Sequence, residues 1–313
     1  DTEMFIIRKA KCSPECNPDC KCGAFLEIWN DVFMRFNKQA DGSYTELSQK
    51  NVDTGMGLER ALCVLTGKSS VYETDLFEDA IKVISDLTGK AYDADPETTR
   101  AFRVILDHTR TATFMIGDEK GIVPSNTDQG YILRRIIRRA VRFGRKIELP
   151  EGSLAKIAQA YIEKYKSVYP ELDVNRDKIF EELAKEEAKF NKTLQQGLKE
   201  FEKCLSGIER KNAFMAQNNP DYVPEKRING KQAFHLYDTY GFPVEITDEM
   251  AKERGFSVDM DGYKAAFEEH QNKSKAGSEQ KFACGLADNK EATTRLHTAT
   301  HLLHAALKKV YSL

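Results

Sequence analysis

The sequence predicts an α+β fold in which a short antiparallel sheet comes first and a long run of helices follows. Two observations carry that prediction. Residues 27–36 and 44–52 are rich in aromatic and aliphatic side chains and are joined across Asp41-Gly42, a pair suited to an antiparallel hairpin turn. From Glu73 onward the apolar residues recur instead at spacings of three and four, segment after segment. A chain of 313 residues can bury more than one core, so two or three domains are expected.

Composition narrows the function classes. Formal net charge is -2 although 31% of residues are charged, so contact with nucleic acid would have to come from local clusters rather than from a basic surface overall. No apolar run approaches the roughly 20 residues that cross a bilayer, and the start has no basic segment followed by an apolar one. A soluble, cytoplasmic protein without membrane contact is expected, with its oligomeric state open.

Taken in order, the chain starts with a cysteine-rich loop. Seven cysteines, an odd number, argue against a disulfide framework, and Cys12, Cys16, Cys20 and Cys22 crowd together among Pro, Asn and Asp. Four thiolates could hold zinc tetrahedrally, although the single residue between Cys20 and Cys22 is a tight spacing; free thiols in an exposed insertion are the alternative. The two strands follow, with Trp29 expected in the core. Gly55 and Gly57 then stand between the second strand and a helix predicted over 58–65. Glycine lets the backbone turn sharply and come close to a ligand, and the helix start offers N–H groups to an anion. Arg60 suits a phosphate or an adenine ring, and Asp53 suits a ligand ammonium.

Further helices are predicted over 75–88, closed by Gly89, and over 98–116, 130–145, 154–165, 177–208 and 261–271. His108 reads as a hydrogen-bonded structural histidine. In 130–145, Ile132, Leu133, Ile136, Ile137 and Val141 form an apolar stripe, while Arg134, Arg135, Arg138, Arg139, Arg142 and Arg145 occupy much of the remainder. No acid is interleaved, so these charges repel one another unless an external polyanion offsets them, and RNA is the simplest one. The polar stretch 206–227 reads as a boundary and 272–280 as a linker. Near the end, His297, His301 and His304 share one helical face; His297 and His301 have the spacing of half a zinc site.

Several of these segments carry a resemblance. Glu27-Ile-Trp-Asn-Asp-Val-Phe-Met-Arg-Phe-Asn, followed by Val52-Asp-Thr-Gly-Met-Gly-Leu-Glu-Arg, resembles the end of the class II catalytic domain of the alanyl-tRNA synthetase family, the second block being similar to motif 3. Pro124-Ser-Asn, Gly130-Tyr-Ile-Leu-Arg-Arg-Ile-Ile-Arg-Arg-Ala-Val-Arg, Leu236-Tyr-Asp-Thr-Tyr-Gly-Phe-Pro and His297-Thr-Ala-Thr-His-Leu-Leu-His match in the same order.

The resemblance implies the C-terminal part of a class II antiparallel sheet over 1–68, a mainly α-helical tRNA-recognition domain over 69–271, a linker over 272–290, and the first helix of an editing domain over 291–313. It implies an alanine–tRNA ligase that uses ATP with magnesium, alanine and tRNA(Ala), and that edits mischarged tRNA. Asn30, Val32, Asp53 and Gly55 would receive alanine, with Asp53 orienting its ammonium. Glu27 would hold magnesium, and Gly57 and Arg60 would bind ATP, Arg60 through phosphate. Asn126, Asp128 and Asp238 would read the acceptor-stem G·U pair, Asp128 standing where asparagine is common, and Arg135, Arg138 and Arg139 would grip the backbone. His297 and His301 would be half of the editing zinc site.

Two departures matter. No motif 1 or 2 precedes Glu27, so the expectation is a fragment that alone does not form alanyl-adenylate. Fewer than thirty residues stand where most of the family place a β-barrel before the histidine helix. A non-catalytic RNA-binding module, which would not need Glu27, Asp53, Gly55 and Arg60, and a stand-alone editing protein, which would need a near-complete editing domain, are the rival readings.

Overall fold

The computed structural model describes residues 1–219, 221–281, 299–300, 302–303 and 306. By its internal contacts the chain divides into two compact units, Asp1–Lys192 and Thr193–Leu313. The expected boundary at 68/69 falls inside the first.

The first unit opens with three antiparallel strands in the order β1-β2-β3: β1 Thr2–Ile7, β2 Phe25–Lys38 and β3 Tyr44–Met56. The β2–β3 hairpin turns at Asp41, whose carboxylate accepts from Ser43 N (2.9 Å), and Gly42 supplies the left-handed residue at φ 85°. Trp29, expected in the core, is 37% exposed. The β2 and β3 side chains around it are exposed for most of their length, and its indole N–H donates to Thr54 Oγ1.

Helix α1, Leu58–Leu65, follows directly. Glu59 accepts from Arg110 (2.8 Å), which ties α1 to the helix over Pro96–Gly117 within the same unit. Next come α2 (Asp75–Thr88), α3 (Pro96–Gly117), α4 (Asp128–Lys146), α5 (Ser153–Tyr165), the short α6 (Glu171–Val174) and the beginning of α7 (Arg176–Asn218). Gly89 closes α2 in the left-handed region, as its position predicts. Asp95 starts α3 by accepting from Glu97 N (2.8 Å) and Thr98 N (2.9 Å), with Pro96 in the first turn where no N–H is needed. The core is built from Phe77, Phe102, Leu106, Leu133, Tyr161 and Phe190, each at most 1% exposed. Tyr161 reaches this depth because its hydroxyl donates to Leu106 O (3.0 Å).

The second unit packs the rest of α7 with α8 (Gly230–Tyr240), α9 (Val244–Glu253), α10 (Met260–Lys281) and a two-stranded parallel ladder of β4 (Arg227–Ile228) and β5 (Ser257–Val258). Asn229 and Gln232 form a reciprocal capping box at the start of α8. Two glycines allow close approach: a Cβ at Gly197 would run into the Phe242 ring, and one at Gly230 into the Gly262 backbone.

Two boundaries differ from the sequence reading. Helix α7 runs ten residues past 208, through part of the polar stretch read as a boundary. Its solvated face tolerates that composition, and Asn212 ties the following segment back by accepting from Glu225 N (3.0 Å) and donating to Glu225 O (2.7 Å). Helix α10 continues to Lys281 through the residues read as a linker. That segment holds one glycine and no proline, so nothing in it forces the helix to stop. The histidines 297, 301 and 304 lie outside the described residues.

Candidate active site and nucleic-acid interface

Strand register decides which side chains face together, because paired residues share a face and so do alternate residues of one strand. Asn30 pairs with Gly55 and Val32 with Asp53, so these four lie on one face of the hairpin. Simple alternation would put Glu27 on the opposite face from Asn30. The β1–β2 register shifts between Met4 and Phe5, however, so that Glu3 pairs with Asn30 and Phe5 with Glu27. Glu3 and Phe5 are alternate residues of β1. The irregularity therefore turns Glu27 onto the face of Asn30, Val32, Asp53 and Gly55.

Both glycines serve by leaving space, since neither Gly55 nor Gly57 has a positive φ. A Cβ on Gly55 would lie 3.3 Å from Asn30 Oδ1, and one on Gly57 would lie 3.3 Å from Arg60 Cδ. Gly57 is the N-cap of α1 and its N–H donates to Ile28 O (3.3 Å), which joins the helix start to the irregular stretch of β2. Arg60, in the first turn of α1, donates to both Glu27 O (3.1 Å) and Glu27 Oε2 (3.2 Å). The half-exposed pair puts a cation and a carboxylate beside the polar face.

The cysteine loop closes β1 onto β2. Cys12 and Cys20 Sγ are 3.5 Å apart, as are Cys16 and Cys22 Sγ, and all four sulfurs lie within 4.8 Å of one another. A tetrahedron with zinc–sulfur bonds of about 2.3 Å has edges of about 3.8 Å, inside that range. Turns at Ser13 O to Cys16 N (3.1 Å) and Asn17 O to Cys20 N (3.0 Å) gather the thiols, which is how the tight spacing is accommodated. The Ala24 N–H donates to Cys22 Sγ (3.4 Å) and brings that thiol down to about 7, whereas the thiol neighbours, Cys20 first, push Cys12 up to about 12. The donor set fits zinc.

Helix α4 corrects the reading of its arginines. Arg138 is 6% exposed and Arg142 5% exposed. Arg138 donates to Glu186 Oε1 of α7 from Nε (2.6 Å), with its NH2 2.5 Å from the same oxygen, and it stacks over Phe190. Arg134 Nε lies 3.2 Å from that carboxylate. The charges of this face are thus offset in part by an acid from another helix, and Arg138 is not presented to an external backbone. Arg135 and Arg139 are half-buried and Arg145 is exposed. Arg139 meets His108 Nε2 at 2.8 Å, in keeping with a structural histidine. Ile132, expected in the stripe, is 45% exposed, while Leu133 and Ile137 are buried.

The loop before α4 is braced. Arg134 donates to Asn126 Oδ1 and to Pro124 O (3.3 Å), and Ser125 N donates to Gly130 O (3.0 Å). Asn126 and Asp128 are exposed, and Asp128 sits at φ 51°, a left-handed conformation that asparagine and aspartate tolerate better than most residues. In the second unit Asp238 is an exposed helical residue of α8 whose carboxylate lies 3.8 Å from His270.

The family described as tRNA synthetases class II (A) matches residues 4–311. The chain belongs to that family. Alanine–tRNA ligases of Borreliella afzelii (46% identical over 99% of the chain and 50% of the relative), Treponema denticola (48%, over 99% and 50%) and Treponema pallidum (46%, over 99% and 49%) are among its relatives. The chain spans about half the length of these curated relatives. Its α+β architecture with an antiparallel sheet fits a class II synthetase, and among the described residues no helix is long and apolar enough to cross a membrane.

Within this class II synthetase chain, sequence reasoning missed Glu186 and Arg110, which hold the arginine helix and α1 in place. A signal for Glu186 existed. Along α7 the apolar stripe runs Ile179, Leu183, Phe190 and Leu194, and Glu186-Glu187 fills the gap in that stripe. An acid on an apolar stripe demands either a cation opposite it, as Glu186 has, or a retained proton.

Proposed function

We propose that this chain is part of an alanine–tRNA ligase, carrying the end of its catalytic domain over 1–68, a helical tRNA-recognition domain over 69–271, and the start of an editing domain over 291–313. The observation that carries this reading is the register shift that gathers Glu27, Asn30, Val32, Asp53 and Gly55 on one face beside Arg60.

In the whole enzyme an alanine carboxylate oxygen forms a bond to the ATP α-phosphorus while the bond to the pyrophosphate leaving group breaks, and the alanyl group then passes to tRNA(Ala). Asp53 faces the alanine ammonium, and Val32 with the bare Gly55 admits a methyl side chain. Glu27 holds the magnesium that ATP brings, and Arg60 and the Gly57 helix start face phosphate. These groups act by positioning and by stabilising charge, without a covalent intermediate on the protein. Cys12, Cys16, Cys20 and Cys22 hold a structural zinc that fixes the β1–β2 connection. Arg135 and Arg139 anchor the acceptor stem, Asn126 and Asp128 carry wobble-pair reading in the first unit, and Asp238 carries a reading role in the second.

Alanine-dependent exchange of pyrophosphate into ATP by the whole enzyme tests the reading. Asp53→Ala is expected to cost at least a hundredfold in exchange, about 2.7 kcal/mol of transition-state stabilisation, and Gly55→Ala to raise the KM for alanine with less effect on that for ATP. Exchange unaltered in both variants refutes the assignment.

A further inference from the structure

Resting on the tRNA-ligase reading, we infer that the groove between the end of β1 and the end of α1 is a second RNA phosphate subsite, used by the strand of an acceptor stem. The groove has a volume of about 640 Å³ and is lined by Arg8, Lys9, Lys68 and Ser69 over Ile6 and Cys63. Among the described residues, no carboxylate lines it. The cavity bounded by Tyr72, Asp95 and Arg103 is different: its three arginines are matched by Asp93, Asp95 and Asp107. Net positive charge therefore distinguishes the groove from that cavity.

The groove is built rather than accidental. Arg8 donates to Ser69 O and so fixes the loop after α1, and its own N–H donates to Ala24 O (2.8 Å), which continues the β1–β2 ladder towards the cysteine loop. Lys9 Nζ lies over Gly23, where a Cβ would be 3.8 Å from it, and Gly23 is held at φ 78°. Glu73, the acid of this loop, accepts from Ser69 N (3.1 Å) and Oγ (2.6 Å), and these bonds, with the Arg103 and Lys68 charges, keep it below its ordinary range. Its negative charge remains and offsets part of the groove's, which leaves Arg8, Lys9 and Lys68 in excess. Gly57 and the groove stand at opposite ends of the eight-residue α1, about 12 Å apart at 1.5 Å per residue, so this is not the ATP face. A chain of phosphodiesters fits an open, cation-lined groove, and one bound strand could satisfy both lysines.

Binding of an RNA minihelix with a single-stranded 3′ end to the 313-residue chain, across a salt series, tests this. Lys9→Ala with Lys68→Ala is expected to weaken binding about tenfold at low salt and to flatten the logarithmic salt slope by roughly 1.4 to 1.8, at about 0.7 to 0.9 for each phosphate no longer neutralised; Lys9→Arg with Lys68→Arg should restore both. In the unaltered chain RNA should protect Lys9 and Lys68 from acylation, and inorganic phosphate at the same phosphate concentration should not. Unchanged binding by the alanine pair, while Arg139→Ala weakens it, overturns the subsite and leaves the ligase reading standing. A lowered Tm with unchanged RNA binding does the same, since the cations would then serve only the C-terminal dipole of α1. Protection by inorganic phosphate alone overturns the RNA assignment. No minihelix binding by the unaltered chain overturns the tRNA reading and the subsite together.

Discussion

Arg138 and Arg139 are adjacent in sequence, and the rotation of the helix between them separates their roles. Arg138 points at Glu186 and is buried, while Arg139 is half-buried against His108 and Phe143. Removing one partner of a buried pair strands the other charge, so Arg138→Ala should destabilise the chain by about 3 kcal/mol, with Arg134 limiting the damage. Arg139→Ala should cost less, about 1 kcal/mol for the lost His108 bond, and weaken acceptor-stem binding for wobble and Watson-Crick stems alike. Urea midpoints and salt-dependent binding of the two variants separate these outcomes; equal loss of stability in both would refute the division. Asp238 is a reader rather than an anchor on this view. Its carboxylate faces the exposed His270 at 3.8 Å, a solvated pair on which little fold stability depends. Asp238→Ala is expected to lose about 1–3 kcal/mol of discrimination between wobble and Watson-Crick stems and to keep its salt slope. A fall in Tm with equal weakening of both stems would make it a brace instead.

Among the elements, the cysteine loop has the most to do. It joins β1 to β2, and the β1–β2 register is what turns Glu27 onto the polar face. Zinc held by the four thiolates would close the loop, and metal binding to such a loop contributes directly to folding free energy. Protein prepared without chelator should carry about one equivalent of zinc, and Cys16→Ser with Cys20→Ser should release it. Hydrogen exchange at the amides of β1 and at Glu27 should then accelerate while α7 is unaffected. Zinc retained by the double variant, or exchange unchanged after its loss, would separate the cluster from the strand register.

At the scale of the whole molecule, burial of one carboxyl writes a pH dependence into the first unit. Burial pushes the Glu187 carboxyl up to about 7 from 4.5, against a partly offsetting N–H from Gly152 at 2.9 Å, and among the described residues its Oε2 has no hydrogen-bond partner. Between those two values the folded chain holds a proton that the unfolded chain has lost, so stability falls as pH rises through the window and levels off above it. The stability of Glu187→Gln relative to the unaltered chain should therefore rise by about 3 kcal/mol from below pH 4.5 to above pH 7, at 1.36 kcal/mol per unit. Paired denaturant titrations at several pH values cancel the other titrating groups. A difference that is flat across the window would show that Glu187 is ionised at no cost.

Local rules wrote much of this molecule into its sequence. The hairpin at Asp41-Gly42, the helix over 58–65, the Gly89 cap and the histidine of α3 were legible because turn chemistry, spacing and capping act within a few residues. The motif resemblance likewise needed only linear order. What depended on tertiary structure was every question of which face and which partner. Trp29 is exposed because burial of a strand residue depends on what packs over its sheet. Arg138 is internal because Glu186, 48 residues later, reaches it across two helices. Glu27 joins Asn30 because β1, far earlier in the chain, slips one residue against β2. Propensity is local and shows in the sequence; register, burial and charge compensation arise between distant segments and exist only once the chain has folded.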